Sequence, residues 1–175
     1  MRNVPCAMQK IRDLCSSLYL DENNVLAKTE LFIKAYPEIV WANNHDKKGQ
    51  IAKPQKICEK KSETAMRYIA DFEPAEGKTQ FLKKMIMLFD IKWLTELISS
   101  AMKHIEDFPD YGTVYIKILT NLFSDDHRPD QLCQKDVRLE KTAFYNRKKE
   151  AIFLFGVELW GIVIPKYLDL YGESI

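Results

Sequence analysis

The sequence predicts an all-α fold, a helical N-terminal region followed by a C-terminal helix-turn-helix. Three observations predict it. Leu, Ile, Phe, Met and Tyr return at three- and four-residue steps, the spacing of one helix face. Alternating runs of Val, Ile and Thr, the pattern of a half-buried strand, are scarce. Clusters of Pro, Gly, Asn and Asp separate the periodic segments, as helix stops and turns require. With 175 residues, 46% hydrophobic and 11% aromatic, the chain carries enough apolar side chain for one substantial core or two small ones, which excludes wholesale disorder.

The N-terminal segment, residues 1–41, reads as two helices or a helix hairpin. Ile11, Leu14, Cys15 and Leu18 share a face in 7–20, and Leu26, Thr29, Ile33, Tyr36 and Val40 continue the period. Pro37 lacks the N–H an interior helix position needs, so the second helix is expected to end or kink near Tyr36. Residues 42–56, running ANNHDKKGQIAKPQ and into Lys56, lose periodicity and read as a linker, its lysines a solvated tether, with a basic arm touching phosphates as the alternative.

Residues 57–107 read as amphipathic helices. Ile57, Lys61, Ala65, Tyr68 and Phe72 fall in register, and Glu-Pro-Ala-Glu-Gly after Phe72 supplies a stop. From Lys78 to Asp107 the pattern Phe81, Leu82, Met85, Leu88, Phe89, Trp93, Leu97, Ala101, Met102 and Ile105 is unbroken. A single helix there would be on the order of 40 Å long, a protruding rod able to pair with a second copy as a homodimer.

The C-terminal region, residues 108–175, carries the functional signal. Phe108-Pro109-Asp110-Tyr111-Gly112 is turn chemistry, and Thr113 to Phe123 follows as a short helix with Val114, Ile118, Leu119 and Leu122 on one side. After Ser-Asp-Asp-His-Arg-Pro comes a brief helix opened by Pro129 and Asp130, residues suited to a first turn, with Leu132, Cys133 and Val137 on its buried side. Val137-Arg138-Leu139 forms a tight connection with Leu139 as its inward plug, and a further helix starts near Glu140. Helix, loop, short helix, tight turn and a helix with a polar start is the order a helix-turn-helix requires.

That last helix divides along its length. Phe144, Ala151, Phe155 and Leu159 form an inward stripe, while Lys141, Thr142, Tyr145, Asn146 and Lys149 place polar groups on the outer side of its first half. Groove-reading helices need this division, since their first turns meet base edges while the remainder packs. Between Arg128 and Lys149 seven cations face three carboxylates, a local net charge of +4 in a chain whose total is +1. A local basic patch of this kind suits phosphate. Lys141, Thr142, Tyr145, Asn146 and Lys149 are therefore the base-reading candidates, with Asn146 able to pair with adenine and Lys149 with guanine. Arg128, Arg138, Arg147 and Lys148 are the phosphate candidates.

Residues 111–161 also carry a family resemblance. Thr142, Phe144, Tyr145, Arg147, Lys148, Glu150, Ala151, Ile152, Leu159, Trp160 and Gly161 match the recognition segment of small phage-type transcriptional regulators with a sigma-70 region-4-like helix-turn-helix, the ArpU-like group. Two positions depart from that pattern: Glu140 stands where it has a capping Ser, and Arg138 where it has a turn Gly. The resemblance implies binding to double-stranded DNA and control of transcription of phage or prophage genes; residues 1–90 fall outside it and are open to dimerisation, contact with RNA polymerase or binding of a second protein. The rival class is an adaptor or anti-activator that keeps the scaffold and binds protein instead.

Other classes lack their signatures. The three histidines, His45, His104 and His127, have no partner at motif spacing, and no P-loop, GxSxG, HExxH or GxGxxG occurs, so neither an enzyme nor a cofactor is expected. Cys6, Cys15, Cys58 and Cys133 are scattered without a CxxC pair, which reads as reduced apolar side chains rather than metal ligands. The opening MRNVPCAMQKIRD meets charge before any long apolar run, and no uncharged stretch approaches a membrane span, so a soluble, cytoplasmic protein without a membrane partner is expected.

Overall fold

A computed structural model describes residues 6–46, 58–124 and 128–172, which form helices and the turns between them, with no strand among them. In order these are α1 (Ala7–Ser17), α2 (Glu22–Asp46), α3 (Cys58–Asp71), α4 (Lys78–Leu88), α5 (Ile91–Glu106), α6 (Gly112–Leu122), α7 (Asp130–Val137), α8 (Lys141–Glu158) and α9 (Ile164–Gly172). A single 3₁₀ turn, Pro74–Glu76, precedes α4, and a π-helical segment, Leu159–Val163, joins α8 to α9.

Local chemistry sets the ends of several elements. α1 stops where Tyr19 adopts a left-handed φ of 58°, and α2 opens with the Asp21 carboxylate accepting the Asn24 N–H at 2.8 Å. Of the two outcomes expected near Tyr36, an end or a kink, the end does not occur: α2 runs through Pro37 to Asp46. Proline removes one backbone hydrogen bond, and here the apolar face on both sides of it, Phe32, Ala35, Tyr36 and Ile39, is buried. Tertiary packing outweighs the local penalty. The helix therefore occupies the first five residues of the expected linker, and the rest of that linker, with Ile57, lies outside the described residues.

The expected rod from Lys78 to Asp107 is two helices. The chain extends at Phe89 and Asp90, and the Asp90 carboxylate caps α5 by accepting the Lys92 N–H at 3.0 Å. Leu94, Leu97, Ile98, Ala101 and Ile105 on α5 are all buried against the chain's own helices.

One core cluster runs from Ile11 in α1 to Ile164 in α9, and α8 lies at its centre, packed on α1, α2, α5 and α6. From Phe153 to Trp160 every residue is buried, the pattern of a helix enclosed on all sides. Phe32 of α2 meets Phe155 at 6.3 Å and stands edge-on to Trp160 at 6.2 Å, while Phe123 at the end of α6 lies 5.0 Å from Phe155. At Gly156 the two helices come so close that an added Cβ would lie 2.8 Å from the Val25 side chain. Trp160 donates its indole N–H to the Ile69 carbonyl at 2.8 Å, tying the π segment to α3.

The helical run Lys141–Leu170 has the length and apolar composition to cross a membrane. Most of its apolar window, 61%, is enclosed by the protein's own helices. Burial within the core accounts for its composition.

Candidate functional site

A smaller cluster organises the region the sequence singled out. Ile118 of α6, Cys133 of α7 and Phe144 of α8 are buried together, with Val114, Leu122, Val137 and Leu139 packed around them. Three helices thus meet over one small apolar centre, and Leu139 fills the inward position expected of it. Leu132, expected on the buried side of α7, is instead 43% exposed. It neighbours Cys133 in sequence, and on a helix a one-residue step turns about 100° away from the buried direction.

The α7–α8 connection is tight because Arg138 takes the left-handed conformation, φ 57° and ψ 43°, and its N–H closes onto the Lys135 carbonyl. This is the position where glycine is usual, since a Cβ is disfavoured there. Gln134 reinforces the turn by donating to the Leu139 carbonyl at 3.1 Å. Glu140 precedes α8 with extended backbone but makes no side-chain cap hydrogen bond.

Lys141, Thr142, Tyr145, Asn146 and Lys149 are all exposed. At about 100° per residue they fall within an arc of roughly 140°, so they form one continuous face of the first half of α8. Tyr145 is 37% exposed, its ring edge-on to the buried Phe144 at 5.4 Å, which limits where the phenol can point. Lys135, Arg138, Lys141 and Lys149 form no ion pair with any described residue.

The phosphate candidates separate. Arg138 is exposed at the turn. Arg128 is exposed as well, but its guanidinium pairs with the Asp136 carboxylate. Arg147 and Lys148 lie on the flanks of the inward stripe on either side of Phe144 and do not join the outward ridge. Lys148 binds both oxygens of Asp130 at 3.0 Å, joining α8 to the first turn of α7. Arg147 stacks over the Tyr111 ring at 3.9 Å and pairs with Glu150 at 3.2 Å.

Glu150 is the member that sequence reasoning missed. It is buried, and its second partner is Tyr115 of α6, whose hydroxyl donates to it at 2.7 Å. Burial first, then the hydrogen bond and charge of Glu150, push the Tyr115 phenol well above its ordinary pKa, which keeps it a donor. The Arg147–Glu150 spacing was visible on one helix, whereas Tyr111 and Tyr115 enter only through the fold. Together these four side chains fix the rotation of α8 against α6, and hence which face of α8 points outward.

Among the described residues no three His, Cys, Asp or Glu side chains converge as metal ligands would. Comparison with protein-family models, curated proteins and solved structures finds no match.

Proposed function

We propose that the chain is a sequence-specific DNA-binding regulator of transcription, in which α7 and α8 act as a helix-turn-helix and α8 enters the major groove. One observation carries the reading: five polar or cationic side chains share an exposed face on the first half of α8, while the second half is sunk in the core. A rigid anchor with a solvent-facing polar start is what groove reading asks of a helix. The resemblance of Thr142, Phe144, Tyr145, Arg147, Lys148, Glu150, Ala151 and Ile152 to an ArpU-like recognition segment is in keeping with the same reading and suggests phage or prophage genes as its setting.

On this reading Asn146 and Lys149 read bases, and Lys141, Thr142 and Tyr145 extend the contact along the groove. Lys135, Arg138 and Lys141 are the cations at hand for phosphate, while Lys148 and Arg147 hold the helix in place. Selection of bound duplexes from a random pool, followed by fluorescence anisotropy on the selected site, tests it. The double substitution Asn146→Ala, Lys149→Ala is expected to weaken specific binding by about 2–6 kcal/mol in total if each contact is bidentate or charge-assisted. Unchanged affinity would remove both residues from the interface.

The rival reading, a protein-binding adaptor or anti-activator, draws on a specific observation as well. Leu132 and Tyr145 expose apolar surface beside the same turn, and three of the region's cations are engaged internally. A mobility shift with sheared duplex at two salt concentrations separates the two: strong salt-dependent retention for the DNA reader, none for the adaptor.

A further inference from the structure

A second feature lies on the other half of the α8–α9 run. Ser100, Lys103 and His104, one face of α5, form one bank of a groove of about 360 Å³, and Lys166, Tyr167 and Leu170 of α9 form the other. Its floor is Ile162 and Val163, which belong to the π-helical segment. The volume sits at the lower end of the roughly 300–1,000 Å³ usual for small-molecule sites.

Charge and apolarity are arranged in a particular way here. Lys103, His104 and Lys166 are exposed, stand on opposite banks, and form no ion pair with any described residue. Among the described residues no Asp or Glu lines the groove. Glu158, near enough to His104 to feel its charge, is buried, and burial raises its pKa. Between the banks the surface is aliphatic and aromatic. Like charges brought to both sides of an apolar trough repel one another, and an anion seated between them removes that repulsion.

The π segment is an independent pointer. A π turn holds one extra residue and gives up regular i→i−4 bonding, so it survives where its displaced side chains have a use, and such segments recur at functional sites. Here the half-buried Ile162 of the widened turn borders the trough over the buried Val163, while Leu159 and Trp160 lie in the core.

We infer that this groove binds a small amphipathic carboxylate, its anionic head held between Lys103, His104 and Lys166 and its apolar body laid along Ile162, Val163, Tyr167 and Leu170. The site is separate from the polar face of α8 and does not depend on the DNA reading. Charge-assisted contacts fix the head, and apolar burial supplies the remainder of the affinity.

Isothermal titration of the full chain with decanoate, kept below its micellar range, tests the site. Saturable single-site binding is expected, weakened about tenfold or more by Lys103→Ala, Lys166→Ala, since each removes a charged contact to the head. Both lysines are exposed, and circular dichroism checks that the variant folds. The substitution Lys141→Ala, Lys149→Ala on the distant face is expected to leave decanoate binding unchanged. Decanol and inorganic phosphate separate the components, and each alone is expected to bind far more weakly than decanoate. Absence of saturable binding, equal binding by the lysine variant, or equal binding of decanol or of phosphate alone would each overturn the assignment.

Discussion

At the residue scale, two side chains sit where their chemistry is uncomfortable. Arg138 holds a left-handed conformation that glycine would occupy without penalty. Arg138→Gly relieves that strain but frees the unfolded chain, and the balance is a net gain of roughly 0.5–1 kcal/mol. Thermal unfolding is expected to show the midpoint rising while affinity for the selected duplex falls, and a loss of stability would mean that the arginine side chain supports the turn itself. Glu158 is buried with one carboxylate oxygen unpartnered, and burial, partly offset by His104, raises its pKa. A raised carboxyl pKa favours the protonated folded state, so this contribution is whole below the ordinary glutamate pKa of about 4.3 and is lost as pH climbs through the higher folded value. Glu158→Gln is therefore expected to exceed the parent chain in denaturant midpoint at neutral pH, with the gap closing near pH 4; a gap independent of pH would point to packing instead of ionisation. The exposed set on α8 was legible because a 3.6-residue period separates its faces. The internal engagement of Lys148 was not, because Asp130 reaches it across a turn whose geometry depends on Arg138.

At the element scale, the crossing of α2 over α8 depends on the absence of a side chain at Gly156. Thr29 is fully buried there and donates its hydroxyl to the Val25 carbonyl at 2.6 Å, so neither it nor Val25 has room to yield. Gly156→Ala is expected to cost about 1–3 kcal/mol by overpacking, despite the better helix propensity of alanine. Adding Thr29→Ala is expected to recover part of that loss, and a double-mutant cycle by urea unfolding measures the coupling; strictly additive losses would show that the two side chains do not meet. Two element boundaries resisted the sequence for opposite reasons. Pro37 is a strong local stop signal overridden by burial on both sides of it, and the break at Asp90 has neither Pro nor Gly to announce it. An aspartate ahead of Ile91 is the available sign, masked by the apolar period that continues across it. The run Phe153–Trp160, apolar but for Glu158, was readable as a buried helix, but the helices packed on α8 are α1, α2, α5 and α6, and no local pattern names them.

At the scale of the whole molecule, what matters is how much positive charge remains available once the fold has used its share. Of the seven cations between Arg128 and Lys149, Arg128, Arg147 and Lys148 are paired with Asp136, Glu150 and Asp130. Lys135, Arg138, Lys141 and Lys149 are left facing solvent, and the body that carries them is close to neutral, at +1. Each phosphate neutralised on duplex DNA contributes a slope of about −0.9 to log K against log salt, so a single protomer using three or four cations is expected to give roughly −3 to −4. If all seven cations engaged phosphate, the slope would approach about −6. Anisotropy titrations over a range of sodium chloride measure it, with sedimentation counting protomers on the duplex so that a pair is not mistaken for a more heavily charged single copy. A slope near −6 from one bound copy would mean that the Asp130, Asp136 and Glu150 pairs all open on DNA, and a slope near zero would leave the α8 face to a protein partner.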